Sequence, residues 1–166
     1  MLTAHDGPCA LLGSDMSSDG GGYCDLNSPM PPDAGGKAAD ADRRGARTAF
    51  QNIHMNGGEV YKFAVRTVPR TLKASLAQAG MEGSELDWLV MHQANQRILD
   101  AVAKKLSLPG DRVVSNLAEY GNTSAASIPI ALDEAVRGGS VKSGQVLGLA
   151  GFGAGLTWAS AIVRWQ

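Results

Sequence analysis

From Glu59 to Ala79, hydrophobic positions recur at three- and four-residue intervals, through Val60, Phe63, Ala64, Val68, Leu72, Leu76 and Ala79. That spacing lays one apolar stripe along an amphipathic α-helix, which Gly80 stops. Pro69 falls inside the run; it lacks an N–H and its ring crowds the preceding turn, so the helix is expected to kink or split there. Leu86 to Met91 is short, apolar and rich in Trp and Val, which reads as a buried strand. Asn95 to Leu106 returns to helical spacing, with Ile98, Val102 and Leu106 on one face, Leu99 beside them and a basic flank of Arg97, Lys104 and Lys105. Pro109-Gly110 breaks that helix and Val113-Val114 is expected as a short strand. Asn122 to Arg137 is helical again through Ile128, Leu132 and Val136, with Pro129 early enough to do little harm. After Gly138-Gly139, Gln145 to Ala150 reads as a buried strand and Leu156 to Trp165 as a final one, joined by the glycine-rich Gly151 to Gly155 as a hairpin.

The start of the chain is less patterned. Pro8 to Gly13 holds one short apolar run that fits a strand, and Asp15 to Gly45 is dense in Gly, Ser, Asp and Pro, which predicts an extended surface loop. The whole is an α/β protein with one mixed five-stranded sheet and packed helices, divided into residues 1–51 and a main domain of residues 52–166.

Composition narrows the classes. A chain of 166 residues suffices for one domain with a real core. With 15 basic and 16 acidic side chains there is no global field to draw nucleic acid or an anionic membrane. No apolar run approaches the ~20 residues of a membrane span, and no secretory pattern opens the chain, so a cytoplasmic protein is expected. Cys9 and Cys24 share neither a CxxC spacing nor a histidine-rich neighbourhood, which argues against a zinc site.

The candidate chemistry sits at two strand-to-helix turns, where open α/β sheets place their sites. His92 follows the strand ending at Met91, and Asn122 follows Gly121 thirty residues on. A neutral imidazole donates one N–H and a carboxamide donates without acting as a base, so the pair suits an enolate or tetrahedral oxyanion. The plainer readings are a histidine satisfying a local carbonyl and an asparagine capping a helix. Gly151 to Gly155 is a poor phosphate cradle, since no Gly-Lys-Ser or Gly-Lys-Thr accompanies it. Its glycines either let a backbone N–H approach a ligand or simply close a hairpin. Arg97, Lys104 and Lys105, with Lys62 and Arg66, form a local basic surface that is either solvated or meets an acidic partner. No nucleophile joins the donors, because neither cysteine sits at such a turn.

Trp88-Leu89-Val90-Met91-His92-Gln93-Ala94-Asn95, Gly121-Asn122-Thr123-Ser124-Ala125-Ala126-Ser127-Ile128-Pro129 and Gly151-Phe152-Gly153-Ala154-Gly155-Leu156-Thr157-Trp158 together resemble the C-terminal half of β-ketoacyl-acyl carrier protein synthase III. The resemblance implies a thiolase-like fold, one of its two duplicated halves. It also implies decarboxylative condensation of an acyl-CoA, usually acetyl-CoA, with malonyl-acyl carrier protein at the start of type II fatty acid biosynthesis. His92 and Asn122 would be the catalytic His and Asn of that family. Phe152 would stand beside the centre, and the Ala154 N–H would complete the oxyanion hole. Gly57, Ala94, Asn95 and Ile98 would line the pantetheine tunnel, and Gln93, Arg97, Lys62, Lys104 and Lys105 would meet the carrier protein. The family uses no metal or other cofactor, and its intact enzyme is a homodimer. Its nucleophilic cysteine belongs to an N-terminal half, so the chain alone is expected to be inactive, or to serve only as a carrier-protein-binding module.

Overall fold

The computed structural model of the protein describes residues 10–28 and 53–166; Cys9 and the expected loop from residue 29 to 45 lie outside the described residues. Strands β1 (Leu11–Ser18), β4 (Trp88–Met91), β5 (Val146–Gly153) and β6 (Thr157–Arg164) form a sheet in the order β1-β6-β5-β4. A small pair, β2 (Leu26–Asn27) with β3 (His54–Met55), stands apart from it. β4 runs parallel to β5, with Trp88 opposite Leu147 and Met91 opposite Ala150, while β5 and β6 form the expected antiparallel hairpin. The fifth strand shrinks to one bridge: Val113 pairs in parallel with Leu89, and Val114 N–H donates to Leu89 O at 2.9 Å.

The apolar stripe becomes α1 (Gly57–Ala79), whose Ala64, Val68, Leu72 and Leu76 are at most 2% exposed against the sheet. Each such aliphatic side chain larger than alanine contributes about 1.5–3 kcal/mol by leaving water. Contrary to expectation, α1 is not split at Pro69; it runs unbroken for 23 residues with the proline buried inside it. A helical proline deprives the carbonyl four residues earlier of its partner, and that carbonyl is Val65 O. Lys105 Nζ donates to Val65 O at 2.7 Å, replacing the missing N–H from the neighbouring helix.

α2 (Gln96–Lys105) packs beside α1, and α4 (Ser127–Arg137) lies against β4. A short helix, α3 (Leu117–Tyr120), falls where no helical spacing was visible. α4 starts at Ser127, not Asn122, because a 3-10 turn (Ser124–Ala126) intervenes; Pro129 then occupies its first turn, where no N–H partner is needed.

β1 overturns the reading of Asp15 onward as loop. It pairs with β6 from Leu11 opposite Val163 to Ser18 opposite Thr157, so backbone pairing holds a polar edge strand that hydrophobicity does not announce. Its inner side is polar by design: Thr71 Oγ1 donates to Asp15 and lies 3.0 Å from Ser160 Oγ, which is 2.7 Å from Ser75 Oγ. Gly13 permits this closeness, since a Cβ there would overlap the Ser75 carbonyl of α1. The expected division at residues 51/52 falls in the undescribed stretch, and β1 from before it completes the sheet formed after it.

Candidate functional site

His92 leaves β4 as a continuation of the ladder, its N–H donating to Ala150 O at 2.8 Å. Its ring meets Phe152 of β5 edge to face, with centroids 5.3 Å apart, and Phe63 of α1 backs Phe152 at 6.3 Å. The site therefore lies at the carboxyl end of the parallel pair, where α/β sheets bind ligands. Burial pushes the imidazole below its ordinary pKa, and a hydrogen bond to the Ser124 backbone only partly opposes this, so the ring is neutral near pH 7.

A relay of hydrogen bonds ties this ring to the second turn. His92 Nδ1 is 2.7 Å from Ser127 Oγ, at the first residue of α4. Ser127 Oγ lies 2.8 Å from Ser124 O and accepts from Gln93 N–H at 3.2 Å. Ser124 N–H in turn donates to Asn122 Oδ1 at 2.9 Å. That bond spends the carboxamide's oxygen and aims its NH₂ group elsewhere, so Asn122 is held as a donor. It caps only this tight turn, not α4. Gly121 precedes it at φ 64° and ψ −151°, a conformation open essentially to glycine alone.

The other expected residues divide sharply. Phe152 is in place beside His92. Ala154 is exposed in the β5–β6 turn, where its carbonyl accepts from Thr157 Oγ1 at 3.0 Å and leaves its N–H out of that bond. The turn is pinned from β1 by a reciprocal pair, Asp19 N–H to Leu156 O and Leu156 N–H to Asp19 O, both 2.8 Å. Gly57 opens α1 and is exposed; Asn95 caps α2 by accepting from Arg97 N–H at 2.9 Å. Ala94 is half-buried against the core, and Ile98, at 4% exposure, belongs to the core itself and offers a ligand almost no surface. A cavity of about 460 Å³ lies at the opposite end of β4, lined by Lys73, Leu76, Met81, Glu82, Lys105 and Ser107, none of them an expected tunnel position.

Gln93 cannot meet a partner protein as expected, because it is fully buried. Its Nε2 donates to Met91 O at 2.8 Å and Val114 O at 3.2 Å, while its Oε1 accepts from Asn116 N–H at 3.2 Å. It staples the end of β4 to the segment leading into α3. The basic residues line the α1–α2 seam: Arg97 stacks over Tyr61 at 5.2 Å, and Lys62 pairs with Glu59 at 2.7 Å. Lys104 is exposed in the last turn of α2, and Lys105 spends its ammonium on Val65 O.

Ser127 was missed by sequence reasoning, although its signal was present. It shares the buried stripe of α4 with Ala131 and Ala135, at 1%, 0% and 8% exposure, and a hydroxyl in such a stripe needs a partner. Among the described residues no group of three or more His, Cys, Asp or Glu could hold a metal ion, and no helix is long and apolar enough to cross a membrane. Cys24 is exposed and unpaired in disulfide terms.

Comparison with known proteins bears on the family and the fold. Residues 76–165 match the family described as 3-oxoacyl-[acyl-carrier-protein (ACP)] synthase III C terminal. The chain is 52% identical over 160 residues to the chloroplastic β-ketoacyl-[acyl-carrier-protein] synthase III B of Cuphea wrightii, covering 93% of this chain and 40% of that one. It is 54% identical over 156 residues to the β-ketoacyl-[acyl-carrier-protein] synthase III of Synechococcus sp. (strain WH7803), covering 94% and 46%. The crystal structure of the Thermus thermophilus synthase III superposes with a TM-score of 0.82 at 38% identity, over 99% of this chain and 48% of that one. The chain thus spans less than half the length of these relatives. With this match over more than half of its residues, the chain belongs to the 3-oxoacyl-[acyl-carrier-protein] synthase III family, whose thiolase-like fold it shares in the C-terminal part.

Proposed function

We propose that the chain supplies the two donors for decarboxylative condensation of an acyl group with malonyl-acyl carrier protein, the opening carbon–carbon bond of fatty acid synthesis. The acyl group arrives from an acyl-CoA onto the nucleophilic cysteine that the family resemblance assigns to an N-terminal half. His92 Nε2–H and Asn122 Nδ2–H donate to the malonyl thioester oxygen. As the bond to the carboxylate breaks and carbon dioxide leaves, its electron pair passes to that oxygen as an enolate. The enolate carbon attacks the acyl-cysteine carbonyl, the Ala154 N–H steadies the tetrahedral oxyanion, and the thiolate departs. A neutral imidazole suits this role because it donates without holding a charge that would trap the enolate.

The observation that carries this reading is the relay from His92 through Ser127 and Ser124 to Asn122, which fixes a ring and a carboxamide in one network with their far nitrogens unspent. The Arg97–Tyr61 stack and Lys62 support the adjoining seam as the landing surface for the acidic carrier protein. A cytoplasmic or plastid compartment and a homodimeric assembly of the complete enzyme belong to the same proposal.

The test combines this chain with a separately expressed N-terminal half of a family member and follows malonyl-dependent condensation. Activity that falls on the order of 10²–10³-fold in His92→Ala supports the proposal. A folded complex with no activity, or activity indifferent to His92→Ala, overturns it. Carrier-protein binding without turnover would instead assign the chain as a binding module.

A further inference from the structure

Ser127 has one hydroxyl proton and two acceptors within reach, His92 Nδ1 at 2.7 Å and Ser124 O at 2.8 Å. Which acceptor takes it decides the imidazole tautomer. A proton given to Ser124 O requires Nδ1 to carry the ring's N–H, leaving Nε2 with a lone pair toward the site. A proton given to Nδ1 puts the ring's N–H on Nε2, where it can donate.

The Ser124 carbonyl beside the ring favours a proton on the ring nitrogen that faces it, and three features of the surroundings oppose that state at Nδ1. Ser124 O already accepts from the backbone N–H of Ser127, so it is not left unpaired when the hydroxyl turns away. Ser127 is the first residue of the 11-residue α4, and the partial positive charge of that helix end favours a lone pair over an N–H on the adjoining Nδ1. Gln93 N–H donates into Ser127 Oγ and polarises the hydroxyl, making it a better donor.

We infer that Ser127 is a positioning residue that donates to His92 Nδ1 and so holds the ring in the Nε2–H tautomer, with Nε2 facing the site as a donor. Ser127 touches no substrate; it acts through His92. Its chemical consequence rests on the donor role proposed for His92, whereas its hold on the ring can be read without turnover.

The experiment is nitrogen-15 NMR of the full chain labelled at histidine, recorded above the imidazole's titration, with His92 assigned by the signals lost in His92→Gln. The wild-type ring should show a pyrrole-like Nε2 and a pyridine-like Nδ1. In Ser127→Ala the pattern should shift toward the reverse, because Nδ1 loses its donor and keeps the Ser124 carbonyl beside the ring. Ser127→Thr, which retains the hydroxyl, should restore it. In the reconstituted enzyme kcat should fall at least about tenfold in Ser127→Ala with KM little changed, and recover in Ser127→Thr. A wild-type proton on Nδ1, or a Ser127→Ala spectrum identical to wild type, overturns the assignment. The wild-type tautomer alone decides the matter should the alanine variant lose its fold. A tautomer that moves while kcat stands would uphold the hold of Ser127 and overturn the donor role of His92.

Discussion

His92 and Asn122 reach one network from opposite kinds of surroundings. His92 follows a strand whose last three residues are fully buried, and its ring is wedged between Phe152 and Ser127. Asn122 is exposed on a glycine turn, held by a single bond to a backbone N–H two residues on. The histidine is positioned by tertiary packing and the asparagine by local geometry. Damage near the first should therefore spread into stability, while damage at the second should stay confined to chemistry.

The largest expected effect separates the two most cleanly. In the reconstituted enzyme, Asn122→Ala should reduce condensation by an amount approaching that of His92→Ala, on the order of 10²-fold, yet leave the thermal midpoint of the chain nearly unchanged. A midpoint that drops with Asn122→Ala would break the distinction. Gln93→Leu should do the opposite: removing the bonds to Met91 O, Val114 O and Asn116 N–H strands one buried and two partly buried backbone groups, at about 2–4 kcal/mol in total. Urea unfolding measures it, and a loss under about 1 kcal/mol would show that water replaces the amide.

Gly121→Ala should cost about 1–3 kcal/mol from backbone strain and displace Asn122, so it is the one change on the asparagine side expected to lower stability and activity together. Paired unfolding and rate measurements would reveal whether the turn relaxes instead. The smallest effect concerns pH. Burial lowers the His92 pKa in the folded chain, so below the ordinary imidazole value near 6.5 the unfolded chain binds a proton that the folded one does not. Stability from this group is thus present above about pH 6.5 and declines as pH falls toward the folded pKa. Thermal midpoints from pH 7.5 to 5 should slope less steeply in His92→Gln, and equal slopes would exclude the histidine as their source.

Much of the scaffold could be read directly because its causes are local. The stripe through Val60, Val68 and Leu72 is a property of α1 alone, and the all-apolar Leu89-Val90-Met91 announces a strand covered on both faces. Asn95 and the spacing of Ile98, Val102 and Leu106 located α2 to within a residue. The misreadings share a remote cause. β1 is polar because β6 and Thr71 supply its partners, and Pro69 is tolerated because a lysine 36 residues later reaches its orphaned carbonyl. Val113-Val114 has strand composition but meets β4 at one residue only. At the site, the strand-tip positions of His92 and Asn122 were legible, as were the motifs around them. The partner of Ser127 and the burial of Gln93 were not, because both follow from how α4 and the segment at Val114 close over the end of β4.

The reciprocal bonds between Asp19 and Leu156 have a consequence in time as well as in space. They join the first described strand to a turn near the chain's end, and such distant closures are slow to form because the loop entropy comes before the reward. During synthesis β1 must wait for β6 before the sheet can close, and the turn bearing Ala154 takes its final shape only then. The Phe152 and His92 ring contact rests on the β4–β5 ladder instead, so refolding followed through it should run ahead of the pairing of β1 with β6. The turn bearing Ala154 is thus completed later than the ring contact it stands beside.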